Sequence, residues 1–242
     1  MNLNKNSYIF TFAAIMVIVI GALLALASEA LKPMQQANVR AEKMQSILAT
    51  AGVNLEMDEA EAAFNKYITD QLILNSDGEV VENSEFVAFE VDVVGEYRSL
   101  AVEDRHYPLF VFDDGSEKKF IIPMAGRGLW GPIWGYVALD EDLNTIGGTS
   151  FAHKGETPGL GAEISEHEFQ DQFVGKKVFD KENQFVSVQV VKGGVIPDAG
   201  DVYHRVSGIS GGTITSNGVN EMLARTLKVY VPYLKENKNI SI

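Results

Sequence analysis

Residues 108–122 read PLFVFDDGSEKKFII, and this stretch decides the fold class of the chain. Pro108–Phe112 is rich in residues that favour β-strands, and Asp113–Ser116 has the composition of a tight turn. Lys119–Ile122 then returns to a strand-like pattern. The stretch therefore predicts a β-hairpin, and an antiparallel sheet built around it.

Strand and helix patterns continue on both sides of this hairpin. Three further segments have strand-like composition: Phe86–Val91, Trp134–Leu139 and Phe185–Val191. Apolar residues at helical spacing occur over Glu59–Leu74 and again over Asn217–Val231, where Pro232 is expected to end the helix. We predict an α+β head with a mostly antiparallel sheet and flanking helices, without internal repeats or long linkers.

The N-terminal segment is strongly apolar. No charged residue occurs from Asn6 to Ser28, and about 20 helical residues span the roughly 30 Å hydrocarbon core of a bilayer. Ala25–Ala27 also resembles a signal-peptide cleavage site, but the apolar regions of signal peptides are shorter, roughly 7–15 residues. We therefore predict one transmembrane helix within residues 1–29 and a head domain over 30–242, with a loose helical pattern after Pro33. Flanking lysine and arginine residues do not orient the span.

The charge and composition exclude several classes of protein. The 242 residues carry a formal net charge of −13, which argues against binding to nucleic acid. There are no cysteines, so the chain forms no disulfides and holds neither thiolate-bound zinc nor an iron–sulfur cluster. The four histidines show no metal-ligand spacing, and we predict no bound metal.

The segment Ser210–Gly218 precedes the predicted C-terminal helix and contains glycines and hydroxyl groups. Glycines allow a ligand close to the backbone, and the start of a helix offers free N–H groups that suit a phosphate. The hydroxyl-bearing residues are candidates for hydrogen bonding or for accepting a phosphoryl group; they are Ser210, Thr213, Thr215 and Ser216. An ordinary glycine-rich turn with a helix-capping hydroxyl explains the same residues.

Gly208–Gly212 also matches the Gly-x-Ser-x-Gly pattern of the α/β-hydrolase nucleophile. That fold requires an acidic residue and then a histidine after the serine. The last histidine of this chain is His204, which precedes Ser210. The order of residues excludes the hydrolase interpretation.

Two other segments contain candidate functional residues. In His153–Gly161, His153 and Glu156 are either an acid–base pair or polar loop residues. In Gly126–Tyr136, glycines surround Trp130 and Trp134, whose planar rings suit either stacking on a flat ligand or packing in the core. The residues alone leave these alternatives open.

Three short motifs taken together resemble a known family. They are Gly-Leu-Trp-Gly at 128–131, Glu-Thr-Pro-Gly-Leu-Gly at 156–161 and Ser-Gly-Gly-Thr at 210–213. Their order and spacing resemble the FMN-binding domain that the C subunit of sodium-translocating NADH:quinone oxidoreductases shares with the G subunit of Rnf complexes. The family pattern has aspartate where this chain has Ser207, and alanine where it has Gly212.

The resemblance implies a membrane-bound electron carrier. Thr213 would bind FMN covalently through a phosphoester, after modification by a flavin transferase. The other expected cofactor-binding residues are Ser210, Gly211, Gly212, Thr215, Trp130, Glu156, Thr157, Leu160, Gly161 and Lys192. The expected partners are the other subunits of a respiratory complex in the bacterial inner membrane, with the head on the periplasmic side. The segment 128–139 favours the quinone reductase; an Rnf subunit and a non-catalytic membrane-anchored binding module are the alternatives.

Overall fold

Helix α1 spans Asn6–Thr50 and continues through Pro33, so the two helical patterns of the N-terminal sequence form one helix. The structure, a computed structural model, describes residues 6–82, 84–195 and 202–238. Within these ranges α1 is the one helix that is long and apolar enough to cross a membrane. The chain divides into two compact units, one ending at Lys43 and the other beginning at Met44.

The second unit is built on a five-stranded antiparallel sheet in which neighbouring strands follow one another along the chain. Its strands are β1 (Ile68–Leu74), β2 (Tyr107–Asp113), β3 (Lys118–Arg127), β4 (Pro132–Asp140) and β5 (Ile146–His153). The predicted hairpin joins β2 to β3, with Phe110 opposite Ile121. The turn uses Gly115, whose φ of +88° favours glycine. These observations confirm the predicted α+β class.

The other elements cover the sheet or extend from it. The helices are α2 (Ala60–Tyr67), α3 (Val93–Ser99), the single-turn α4 (His167–Gln170) and α5 (Thr213–Lys238). Two short strands, β6 (Gln189–Val191) and β7 (Arg205–Ser207), form a separate parallel pair. The connection between β5 and β6 is mostly irregular or forms short 3₁₀ turns.

Both faces of the sheet are buried, because the side chains of each strand alternate between two apolar clusters. Leu109 and Val111 of β2 pack with residues of α5, including Leu223 and Tyr230. Phe110 and Phe112 point the other way and pack with the end of α1, with α2 and with residues 88–91. The period-2 alternation of β2 therefore supplies two cores rather than one buried and one solvated face.

The predicted helix over Glu59–Leu74 is wrong in its second half. Helix α2 ends at Tyr67, and Ile68–Leu74 forms strand β1, which pairs with β2 along its length. Leu72 lies opposite Leu109, and Leu74 opposite Tyr107. Pairing with β2 provides hydrogen-bond partners for the backbone of this segment and buries the side chains of Ile73 and Leu74. These gains outweigh the preference for a helix that the spacing of apolar residues indicates.

Two predicted strands are also corrected. Phe86–Val91 forms no strand; Ala88–Glu90 is a 3₁₀ turn, whose local hydrogen bonds replace strand pairing. Of the predicted strand Phe185–Val191, Gln189–Val191 alone is a regular strand, and Phe185 forms an isolated bridge with Phe179.

The C-terminal helix is longer than predicted at both ends. It begins at Thr213 rather than Asn217 and continues through Pro232 to Lys238. Tyr230 and Leu234 lie in the core on either side of the proline. A proline inside a helix removes one backbone hydrogen bond, and the burial of these side chains offsets the stability that is lost with it. Thr213 is therefore the first residue of a 26-residue helix.

Candidate functional site

The three motif segments meet at one buried carboxylate, that of Glu156. Its Oε2 accepts a hydrogen bond from the Thr215 hydroxyl at 2.6 Å, and its Oε1 accepts one from the Trp130 backbone N–H at 2.8 Å. The Leu129 N–H also donates to this carboxylate. One side chain thus joins the β3–β4 connection, the loop after β5 and the first turn of α5.

Glu156 is ionised in this environment although it is 5% exposed. Burial disfavours the charged carboxylate, but the hydrogen bonds from Thr215, Trp130 and Leu129 outweigh it and lower the pKa of Glu156 below its ordinary value. The Glu156 N–H donates to His153 Nδ1 at 3.1 Å. His153 and Glu156 are therefore joined through the backbone of Glu156. The Glu156 carboxylate instead accepts hydrogen bonds from the neighbouring segments.

Two glycines leave the space that this carboxylate occupies. A Cβ on Gly128 would lie 2.6 Å from Glu156 Oε1. A Cβ on Gly161 would lie 2.4 Å from Glu156 Oε2 and 2.5 Å from Thr215 Oγ1. Both distances are shorter than real carbon–oxygen contacts, so glycine at these positions is required by the buried network.

We expect Gly161→Ala to lower the free energy of unfolding by about 1–3 kcal/mol, because the added methyl group separates Glu156 from Thr215. Gly155→Ala is the matched control: its Cβ would have no neighbour within 4 Å, and we expect a change within about 0.5 kcal/mol. Chemical denaturation of both variants measures the difference. Equal effects of the two substitutions would contradict the required role of Gly161.

The four hydroxyl residues around the start of α5 divide into two pairs. Thr215 and Ser216 are buried and engaged: Thr215 donates to Glu156, and Ser216 Oγ accepts from the Ile209 N–H at 3.3 Å. Ser210 and Thr213 are exposed. Of these two, Thr213 is the first helical residue, where backbone N–H groups lack helical partners and favour an anion.

Two glycines shape the turn that leads to Thr213. Gly211 has a φ of +77°, and a Cβ there would lie 2.5 Å from Leu160 Cδ2. The Gly212 carbonyl accepts the Ser216 N–H at 2.9 Å and so begins the helix. Leu160 of the second motif therefore lies directly against the glycines of the third.

Large apolar side chains are exposed around this junction. Trp130 is 69% exposed, Ile214 57% and Leu160 41%. Trp134, in contrast, lies within β4 and is partly buried, so the two tryptophans have different environments. Thr157 is exposed, and its carbonyl accepts the N–H groups of Leu160 and Ala162, which closes the loop. An exposed aromatic ring and a phosphate-compatible helix start, linked through Glu156, suit a ligand with both a ring and a phosphate.

Lys192 lies at the exposed end of β6, next to the segment that leads into the site. Val191 pairs with Ser207, and the Val191 carbonyl accepts the Gly208 N–H at 2.8 Å. Ser207 itself holds the turn after Lys192, because its Oγ accepts the Val195 N–H at 3.1 Å. Serine thus supplies a hydrogen-bond acceptor at the position where the family pattern has aspartate.

No group of three or more histidine, cysteine, aspartate or glutamate residues is arranged to hold a metal in the part of the chain that the structure describes. The absence of a metal site remains a prediction. The polar groups of the junction instead converge on the Glu156 carboxylate.

Comparison with known proteins agrees with this geometry. Residues 128–228 match the family model described as FMN-binding domain, and this range contains all three motifs. The C subunit of the Na(+)-translocating NADH-quinone reductase from Pseudomonas aeruginosa is 31% identical over an alignment of 228 residues that covers 87% of this chain and 87% of the relative. The chain belongs to this C-subunit family. The relatives are named as subunits of an oxidoreductase, which confirms the predicted enzyme class.

Other members of the C-subunit family extend the match to solved structures. The Vibrio campbellii protein is 33% identical and covers 84% of this chain, which in turn covers 83% of it. The crystal structure of the family member from Parabacteroides distasonis has 45% sequence identity and a TM-score of 0.74, covering 84% of this chain and 96% of that one. NqrC of Shewanella oneidensis has 28% identity and a TM-score of 0.66, covering 81% of this chain and 98% of that one.

Sequence reasoning missed two contributors to the site of this C-subunit family member. Leu129 acts through its backbone N–H, which no side-chain pattern reveals. Ile214 follows Thr213 and is exposed. The sequence contained an indication of this, because Ile214 is an apolar residue that lies off the buried face of α5. The roles of the individual cofactor-binding residues remain predictions.

Proposed function

We propose that this chain is the electron-carrying C subunit of a sodium-translocating NADH:quinone oxidoreductase, with FMN joined to Thr213 by a phosphoester. One observation supports it above all: Glu156 joins the three motif segments beside the exposed Thr213 hydroxyl. Membership of the FMN-binding C-subunit family rests on the family match and on the identity to known members.

The residues of the junction fit each part of the cofactor. Thr213 supplies an oxygen for the phosphoester, and the free N–H groups of the first turn of α5 stabilise the phosphate charge. Trp130, Leu160 and Ile214 offer apolar contact to a flat ring system. When bound, the flavin supplies the redox chemistry, and the protein positions it and sets its surroundings.

Attachment requires a second protein, a flavin transferase that uses FAD. The Thr213 Oγ would attack the phosphorus on the FMN side of FAD, the pyrophosphate P–O bond would break, and AMP would leave while the hydroxyl proton passes to a base of the transferase. Thr213 is accessible for this reaction, whereas Thr215 and Ser216 are buried. A covalent bond also prevents loss of the cofactor from a head on the periplasmic side of the inner membrane, where we place this domain.

The intact mass of the protein produced in its native host tests the proposal. We expect an increase equal to FMN minus one water, because phosphoester formation adds the nucleotide and removes the hydroxyl proton and one phosphate hydroxyl. An unmodified mass would contradict covalent attachment and favour a non-catalytic membrane-anchored binding module. The relatives carry the quinone reductase name rather than that of an Rnf subunit.

A further inference from the structure

Helix α5 packs on strand β3 through contacts at three consecutive residues of the strand. Each contact uses the next turn of the helix towards its N-terminus, as the strand approaches its end. The contacts are Arg225 with Ala125, Met222 with Gly126 and Gly218 with Arg127. The helix and the strand therefore have one defined register at this end of β3.

The contact nearest the candidate site is made by main-chain atoms. A Cβ on Gly218 would lie 2.2 Å from the Arg127 carbonyl oxygen and 3.1 Å from the carbonyl carbon. Neither backbone can turn aside as a long side chain can, so this close approach of α5 to β3 requires glycine at position 218. A Cβ on Gly126 would lie 2.8 Å from Met222 Cβ, but a methionine side chain is flexible and adjusts more easily.

The two parts of the candidate site extend from this contact in different elements. Strand β3 ends at Arg127, and the turn that carries Trp130 follows directly. Thr213 lies five residues before Gly218 on α5, about 7.5 Å along the helix axis. The Gly218 contact thus lies between the helix start that carries Thr213 and the turn that carries Trp130.

We propose that Gly218 is a positioning residue that sets the separation between Thr213, the proposed attachment point, and Trp130, which is expected to contact the flavin ring. Glu156 also joins these segments, but its side-chain torsions accommodate small displacements. The backbone contact at Gly218 has no such freedom. The roles of Thr213 and Trp130 rest on the proposed function, whereas their separation is a property of the chain without flavin.

Gly218→Ala should increase this separation. The start of α5 must move by about 1 Å to bring the added carbon to an ordinary contact distance from the Arg127 oxygen. Alanine favours a helix more than glycine does, so the substitution does not weaken α5 itself. A flat ring held by Thr213 would then lie less closely on Trp130.

A dye on α5 measures the separation without flavin. The chain contains no cysteine, so Ile214→Cys in the full chain, produced without a flavin transferase, gives a single exposed site for a bimane label. Tryptophan quenches bimane at short range, and Trp130→Phe gives the reference in which Trp134 alone remains. We expect Gly218→Ala to reduce the quenching by Trp130 about twofold or more, because close contacts are sensitive to displacements of about 1 Å.

Two outcomes of the dye measurement would overturn the proposal. Unchanged quenching in Gly218→Ala would show that the glycine does not set the separation. Absence of quenching by Trp130 in the labelled parent chain would show that the helix start and the tryptophan turn are not adjacent. If Gly218→Ala does not fold, Gly126→Ala takes its place; since Met222 adjusts, we expect a smaller reduction of quenching, and no reduction would contradict the proposal.

Two controls separate positioning from a general loss of stability. Gly155→Ala adds the same methyl group where its Cβ would have no neighbour within 4 Å. Leu234→Ala leaves a cavity in the core near the other end of α5 and so destabilises the fold. Neither should change the quenching by Trp130. A reduction in Leu234→Ala equal to that in Gly218→Ala would assign the effect to stability and overturn the proposal.

The flavin-loaded protein tests the consequence for the cofactor. Native flavin fluorescence is divided by that of the same sample after denaturation, which corrects for the amount attached. We expect this ratio to rise with Gly218→Ala, and to change little when Trp130→Phe is already present, as in a double-mutant cycle. An equal rise in both backgrounds would show that Gly218 does not act through Trp130. Absence of covalent FMN from the wild type would contradict the proposed function alone, because the dye measurement needs no flavin.

Discussion

Thr213→Ala will abolish covalent flavin while leaving the fold unchanged. The substitution removes the hydroxyl that forms the proposed phosphoester, so the loss should be complete. Thr213 is exposed at the first position of α5, and exposed substitutions of this kind change stability by about 0.5 kcal/mol or less. In-gel flavin fluorescence of the denatured protein measures attachment, and chemical denaturation measures stability.

The neighbouring hydroxyls provide matched controls for this experiment. Thr215→Ala removes a hydroxyl that is buried and donates to Glu156, so we expect lower stability with covalent flavin retained. Ser210→Ala removes the other exposed hydroxyl, and fluorescence should persist. A fluorescent Thr213→Ala band, or loss of fluorescence in Ser210→Ala alone, would contradict attachment at Thr213.

Glu156→Ala will have the largest effect on stability among substitutions at the site. It leaves three donors without their acceptor: the buried Thr215 hydroxyl and the N–H groups of the exposed residues Trp130 and Leu129. We expect the free energy of unfolding to fall by about 2–4 kcal/mol, since the unsatisfied buried hydroxyl alone costs roughly 1–3 kcal/mol and two further hydrogen bonds are lost. Glu166→Ala, which removes an exposed carboxylate, should change it by less than about 0.5 kcal/mol. A loss below about 1 kcal/mol for Glu156→Ala would contradict the role of the network.

The ionised state of Glu156 adds a pH dependence that Glu156→Gln tests. The amide cannot reproduce every hydrogen bond of the carboxylate, so the loss at neutral pH should be about 1–2 kcal/mol, smaller than for alanine. The folded-state pKa of Glu156 is lowered, so its charge stabilises the protein above the unfolded-state pKa. That contribution is lost as the pH falls through the lower folded-state pKa. Wild type should therefore lose more stability than Glu156→Gln on acidification, and parallel pH profiles would contradict this.

Local patterns predicted the fold class, because each depends on residues close together in the chain. The turn at Asp113–Ser116, the alternation of β2 and the apolar N-terminal segment all correspond to observed elements. Two of the errors arose where contacts with distant residues decided the outcome. Ile68–Leu74 has helical spacing but forms β1 because β2 lies beside it, and α5 passes Pro232 because Leu234 is buried in the core.

The sequence by itself determined the composition of the site: three motifs in order, and hydroxyls at a helix start. The residue pattern alone left open the role of Glu156 and the choice among four hydroxyls, and Thr213 was chosen through the family resemblance; burial and hydrogen bonding depend on residues far apart in the chain. Glu156 and Thr215 are separated by 59 positions, and their side-chain oxygens lie 2.6 Å apart. Only tertiary structure buries Thr215 and Ser216 while leaving Thr213 exposed, since packing of α5 against the sheet decides which face of its first turn meets water.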